Sequence, residues 1–194
     1  MGYGIDKISQ TERRWQFPIH YVFDGDGLSK ATREMLAHAM EAWSQIPGVA
    51  FIEGAHKNGP TVRVKSTSGS NMWSAGDTKQ GYNPGAAKQE ARHNVLFLQD
   101  MPDLNLMIHE VGHMLGLAHE HDRPDGGVYR STQMNHKNSF AAEIAESVAK
   151  ASAEVKGYKT YGDFDADSVM IYGANATPKP SAGDLATVRE IYDL

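Results

Sequence analysis

The chain contains no cysteine. No disulfide can therefore staple it, and its folding does not depend on an oxidising compartment, although it is compatible with either one. It also lacks an apolar run of the roughly 18 residues that a membrane-spanning helix needs. No signal-peptide pattern opens it, so the expectation is a processed form or export without a cleaved leader. Positive charge is not in excess: 19 Lys and Arg stand against 24 Asp and Glu, a net charge of −5. That balance removes the electrostatic case for nucleic acid or an anionic membrane as partner. Internal repeats and low-complexity tracts are absent as well. What remains is an ordinary globular composition, 40% hydrophobic over 194 residues. This suits one domain with a sizeable core, expected to be a monomer.

Against that plain background stands one dense segment, His109-Glu110-Val111-Gly112-His113-Met114-Leu115-Gly116-Leu117-Ala118-His119. It reads H-E-x-x-H-x-x-G-x-x-H. His109 and His113 are four residues apart, so on an α-helix they share one face a turn apart. Two imidazoles so placed can converge on one zinc ion at about 2.0–2.1 Å. His119 comes six residues later. On a continuing helix it would lie about 9 Å further along the axis, too far to share the ion. The helix must therefore end and the chain turn back, and Gly116 supplies the break because glycine tolerates the left-handed conformation. Three protein ligands leave a fourth position open, the mark of a catalytic rather than a structural zinc site. Glu110 lies beside the metal without being needed as a ligand, so it can take a proton from bound water. The plainer interpretation is an amphipathic helix with incidental histidines. Met107, Ile108, Val111, Met114, Leu115 and Leu117 do form an apolar face. Core packing gives no reason, however, for this register of imidazoles, carboxylate and glycine.

The rest of the chain reads as mixed. Residues 14–23 predict a strand, with Pro18 marking an irregularity or an edge. Ser29 caps a predicted helix running to about Ile46. Residues 49–52 and 61–65 predict strands. Residues 66–92, rich in Gly, Ser, Asn and Gln, predict a long loop, a length that in compact domains is often functional. Residues 94–98 form a short apolar strand. The metal-site helix starts near Asp103, residues 140–155 predict an alanine-rich helix, and residues 184–192 a last one.

The segment resembles the metzincin clan of zinc endopeptidases. Its continuation, His119-Glu120-His121-Asp122-Arg123-Pro124-Asp125, resembles the H-E-x-x-R-x-D of the astacin family. Ser168-Val169-Met170-Ile171-Tyr172-Gly173 is similar to that family's Met-turn, S-x-M-x-Y-G. Further likenesses are the opening strand from Trp15 through Tyr21, the pair Trp73-Ser74 in the loop bordering the cleft, and a closing S-x-x-D helix from Ser181 to Tyr192. The resemblance implies an α+β metzincin-like fold. Its N-terminal part carries a twisted, mostly parallel sheet with an antiparallel edge strand and the zinc helix, and its C-terminal part is smaller, irregular and helical. The implied organisation is a single catalytic domain over 1–194, with subdomains 1–116 and 117–194. The resemblance also implies secretion.

Residue roles follow by the same resemblance. His109, His113 and His119 hold Zn2+; Met170 forms an apolar floor beneath it; Tyr172 approaches as a further ligand and, with Glu110, is catalytic. The strand before the zinc helix flanks the cleft as the sheet edge, so Asn94, Val95, Leu96 and Phe97 would hold an extended peptide main chain to main chain, with Trp73 and Ser74 nearby. His121, Arg123 and residues 74–93 could line the primed-side pocket. Three features depart from the family pattern: the missing disulfides, a short stretch between Tyr172 and Ser181, and an opening Met1-Gly2. The family's terminal ammonium often reaches the glutamate after the third histidine, here Glu120. With this opening, Glu120 is expected to find partners in its own neighbourhood instead. Phe23-Asp24-Gly25-Asp26 matches the family's F-x-G-D latency signal but follows the opening strand, so it reads as an Asp/Gly turn. The expected activity is cleavage of peptide bonds inside protein or peptide substrates. A zinc-containing module that only captures peptides is the alternative, and a zinc hydrolase of another substrate class a third.

Overall fold

The computed structural model describes residues 2–9, 11–66, 76–77, 94–98, 100, 103–123, 157–171 and 178–194. The expected helix over residues 140–155, Trp73, Ser74, Tyr172 and Gly173 lie outside them.

A five-stranded sheet carries the first half of the chain. Its strands are β2 (Ile19–Asp24), β3 (Phe51–Glu53), β4 (Thr61–Ser66), β5 (Gly76–Asp77) and β6 (Val95–Leu98), in the order β3-β2-β4-β6-β5. Neighbours pair in parallel except β5, which runs antiparallel to β6. An α+β fold with a mostly parallel sheet and an antiparallel edge strand is therefore present. One expectation fails. The strand before the metal-site helix, β6, is not the edge, because β5 pairs with it at Phe97 and Leu98. The edge strand is only two residues long and sits inside a Gly- and Ser-rich run, so it gives no alternating apolar signal.

Two helices cover one face. In α1 (Lys30–Ser44) the Ser29 side chain accepts from the Thr32 N–H as N-cap, and Leu36, Ala39, Met40 and Trp43 recur at helical spacing on the buried side. In α2 (Leu104–Met114) the N-cap is Asp103, whose carboxylate accepts from the Leu106 N–H. The two helices join through Trp43, whose indole N–H donates to the Ile108 carbonyl at 3.0 Å. Val62 and Val64 of β4 and Leu96 and Leu98 of β6 complete this core. Burying each such side chain contributes roughly 1.5–3 kcal/mol.

A second, two-stranded sheet ties the ends of the chain to the middle. Strand β1 (Tyr3–Ile5) pairs antiparallel with β7 (Tyr158–Thr160). The same β1 also runs beside the segment after α2: the Ile5 N–H donates to the Gly116 carbonyl and the Ala118 N–H to the Tyr3 carbonyl. The last helix, α3 (Ala182–Tyr192), opens with a reciprocal capping box between Ser181 and Asp184. Neither β1 nor β7 was expected from the sequence. Each is three residues long, and its pairing partner lies more than 150 residues away.

Candidate metal centre

Helix α2 ends where the third histidine requires it to end. Gly116 has φ +97°, the left-handed region that favours glycine. The Leu117 N–H turns back to the Gly112 carbonyl and the Gly116 N–H to the His113 carbonyl. A Cβ at Gly116 would lie 2.9 Å from the Ile5 side chain, so another residue would have to displace that side chain as well as adopt this strained φ. Trp15 closes the end of the helix from the opposite direction, its indole N–H donating to the Met114 carbonyl at 2.9 Å. The chain then runs through Leu117 and Ala118 to His119, which opens a 3-10 turn over Glu120–Asp122.

This path brings His109, His113 and His119 together, with one ligand atom of each within 4.8 Å of the others. The orientation of the rings is set from behind. His109 Nδ1 lies 2.8 Å from the Val169 carbonyl, His113 Nδ1 2.8 Å from the Leu117 carbonyl, and His119 Nδ1 3.2 Å from Asp122 Oδ2. Each of these oxygens can only accept, so each Nδ1 carries the proton and each Nε2 keeps its lone pair. His113 Nε2 and His119 Nε2 then face each other at 3.0 Å. Two lone pairs so close repel unless a cation lies between them. The separation is near the roughly 3.3 Å edge of a tetrahedron with zinc–nitrogen bonds of 2.0–2.1 Å. The donor set therefore fits zinc.

Burial keeps these imidazoles neutral. It holds the His109 pKa below the ordinary imidazole value, against the opposing pull of the Val169 carbonyl. His113 and His119 lie well below that value, first through burial and then through repulsion by neighbouring imidazoles. Neutral imidazole is the form that binds metal. Glu110, next along the helix from His109, is 4% exposed.

Met170 packs against the metal-site helix at Gly112. A Cβ at Gly112 would meet Met170 Sδ at 2.6 Å and Trp43 at 3.1 Å. Only glycine lets the methionine lie flat against α2 one residue before His113. The turn carrying Met170 is fixed by Asp184, whose carboxylate accepts from the Ser168 hydroxyl at 2.6 Å and from the Val169 and Ser181 N–H groups at 2.9 Å. Glu120 Oε1 accepts from Arg123 Nη1 at 3.1 Å and from the Asp165 N–H at 2.8 Å. These are neighbourhood partners of the expected kind; Met1 lies outside the described residues. Burial pushes the Glu120 pKa up to about 7, opposed by the Asp165 N–H and the Arg123 charge.

Of the residues that could have lined the primed-side pocket, Arg123 lies in the interior instead. It is fully buried, and its guanidinium donates to the carbonyls of Gly2, Tyr161, Gly162 and Asp163 as well as to Glu120. Among the residues expected to hold substrate, Leu96 points into the core and Val95 is buried; Asn94, at φ +57°, precedes β6 and gives its carbonyl to the Arg63 N–H. Two contributors escaped the sequence reading. Asp122 sits three residues after His119, a spacing that a 3-10 turn brings together. Trp15 reaches a helix end 99 residues away, for which no local signal exists.

Comparison with known proteins meets this geometry. The family model described as Astacin, a peptidase family, matches residues 7–192. Zinc metalloproteinase nas-36 of Brugia malayi is 26% identical over 170 residues, covering 87% of this chain and 26% of that protein. Human Tolloid-like protein 1 is 25% identical over 170 residues, covering 86% of the chain and 15% of its own length. The chain thus spans about a quarter or less of these two relatives. Two solved structures share the fold. Myroilysin superposes with a TM-score of 0.67 at 18% identity, covering 100% of this chain and 99% of its own. High choriolytic enzyme 1, a hatching enzyme zinc-protease from Oryzias latipes, gives 0.62 at 15% identity, covering 97% and 98%. Zinc is named for nas-36 and for the hatching enzyme, and His109, His113 and His119 are a group here that could hold it. The chain belongs to the astacin family of metalloproteases.

Proposed function

We propose that this chain is a zinc-dependent endopeptidase that hydrolyses peptide bonds inside proteins. The observation that carries the reading is the convergence of three neutral imidazoles beside a buried glutamate. His109, His113 and His119 would hold the zinc through Nε2. When bound, zinc lowers the pKa of a coordinated water to about 7 and polarises a carbonyl. Glu110 would act as the proton shuttle, accepting a proton from water and returning it to the leaving amine. Tyr172, placed by the family resemblance alone, donates a hydrogen bond to the developing oxyanion. Gly116 turns the chain toward His119, and Met170 packs against the helix that carries His109 and His113.

The substrate class follows from the sheet edge. An extended peptide can add a strand to an exposed edge, main chain to main chain. The edge strand on the β6 side is β5, Gly76–Asp77, so the expected docking surface moves from residues 94–97 to β5. By the family resemblance such a groove would be open at both ends, which suits an endopeptidase. No helix among the described residues is long and apolar enough to cross a membrane. An extracellular setting rests on the resemblance.

The deciding experiment is turnover of a denatured protein substrate by the purified chain, with and without a zinc chelator. Cleavage that a chelator abolishes and added zinc restores supports the reading. Glu110→Gln should keep its zinc and lose roughly 10²–10⁴-fold in rate, the usual contribution of a general acid–base group. Peptide binding with no turnover by the zinc-loaded wild-type chain would establish a capture module instead.

A further inference from the structure

The three candidate ligands are not held in the same way. His109 and His113 give their Nδ1 protons to main-chain carbonyls, those of Val169 and Leu117. Among the described residues, His119 is seen to face a carboxylate, with Asp122 Oδ2 at 3.2 Å from its Nδ1. His119 lies beyond the end of α2, at the N-cap of a single 3-10 turn, so α2 does not fix its backbone. We propose that Asp122 is a positioning residue that holds His119 in the metal-binding tautomer and strengthens it as the third zinc ligand. The inference rests on the zinc-site reading above and goes beyond it by assigning a role to a side chain outside the ligand set.

Local geometry makes the contact. In a 3-10 turn, side chains three residues apart eclipse one another. The turn is closed by the Asp122 N–H donating to the His119 carbonyl, which brings the Asp122 side chain back over the His119 ring. The side chain is only 7% exposed, so solvent screens its charge little. The His121 ring stacks on His119 at 4.9 Å between centroids and 14° between planes. Carboxylate and stacked ring together restrict both rotation and tautomer. With its proton held on Nδ1, His119 presents the Nε2 lone pair toward His113 Nε2 at 3.0 Å. A carboxylate behind a metal-bound imidazole also raises the basicity of the ligand, and losing such a partner typically costs 10–100-fold in metal affinity. A main-chain carbonyl, as behind the other two histidines, carries no net charge to give the same effect.

Asp122 and His121 also approach each other, with His121 Nε2 at 3.9 Å from Asp122 Oδ1. These two residues and His119 form a second group whose ligand atoms lie within 4.8 Å. If Asp122 were itself a ligand in that group, the chain would bind two ions and removal of Asp122 would cost one of them. Positioning instead leaves the stoichiometry at one and changes only the affinity.

The test is zinc affinity of the full chain, measured by competition with a chromophoric chelator, with stoichiometry read in the same titration. Wild type should bind one zinc ion. Asp122→Ala should bind one zinc ion 10–100-fold more weakly. Asp122→Asn, which keeps an acceptor oxygen but loses the charge, should fall between them. Thermal unfolding of the metal-free proteins identifies any loss of fold; if Asp122→Ala does not fold, Asp122→Asn carries the comparison alone. Equal affinity in wild type and both variants overturns the inference, as does a stoichiometry that falls from two to one. Failure of wild type to bind zinc would instead overturn the metal-site reading itself.

Discussion

At the scale of single residues, the chemistry of the site depends on which nitrogen of each imidazole carries a proton. The spacing of His109, His113 and His119 was enough to propose a ligand set, and Gly116 to propose the chain reversal that completes it. Spacing could not assign tautomers, because the oxygen behind His109 comes from Val169, sixty residues away. Burial holds all three imidazoles below their ordinary pKa, with His113 and His119 furthest down. In the metal-free protein their ring resonances should therefore be those of neutral imidazole at pH 6.5. A ring-proton NMR titration measures this, and a midpoint at or above 6.5 for any of them would contradict the assignment. The consequence for stability has a definite sign. Below about pH 6.5 the unfolded chain binds protons on these histidines and the folded chain resists them, so metal-free stability falls as pH falls through the depressed folded values. Glu110 belongs to this scale too. Its place beside His109 was legible from the motif, and the expected loss of rate without loss of zinc in Glu110→Gln follows from that placement.

At the scale of elements, strong periodicity and caps made the helices legible. Ser29, Asp103 and Ser181 each stand at the N-cap of the helix expected behind them. The short strands were not legible, because β1, β5 and β7 have three, two and three residues, too few for an alternating pattern to emerge. A further element-scale feature was invisible in sequence: α3 serves the metal centre without contributing a ligand. Asp184 at its first turn accepts from Ser168 and Val169, and the Val169 carbonyl in turn faces His109 Nδ1. The carboxylate is 1% exposed, and burial raises its pKa against the hydrogen bonds that favour its charge. Removing it strands a hydroxyl and two N–H groups and destroys the capping box. Asp184→Ala should therefore destabilise the protein by about 2–4 kcal/mol, measured by urea unfolding. It should also weaken zinc binding, because the turn that orients His109 is released. A loss below about 0.5 kcal/mol would mean that the turn holds itself, and that α3 is only packed beside it.

At the scale of the whole molecule, Arg123 joins parts that are remote in sequence. Its guanidinium touches the N-terminal segment at Gly2, the turn after the third histidine at Glu120, and the C-terminal half at Tyr161, Gly162 and Asp163. The motif named this arginine but left its place open; five fixed acceptors around a planar, five-donor group explain why it is interior. Arg123→Met keeps the aliphatic bulk and leaves those acceptors and the buried Glu120 without their cation. Breaking a buried pair in this way typically costs about 3–5 kcal/mol, and urea unfolding of the metal-free protein should show it. The cost should also depend on pH, because Glu120 is held near 7 by burial and only partly lowered by Arg123. For a carboxyl whose folded pKa is raised, the folded state binds more protons than the unfolded state, so stability falls as pH rises through the window from about 4.5 to about 7. Without Arg123 the folded pKa of Glu120 rises further, and the decline continues to higher pH. The destabilisation by Arg123→Met should therefore be larger at pH 8 than at pH 5, with a difference of at most about 1.4 kcal/mol for each unit that the pKa moves. A cost that is the same at both pH values would show that Arg123 acts through its carbonyl contacts alone and that its pairing with Glu120 contributes nothing to the fold.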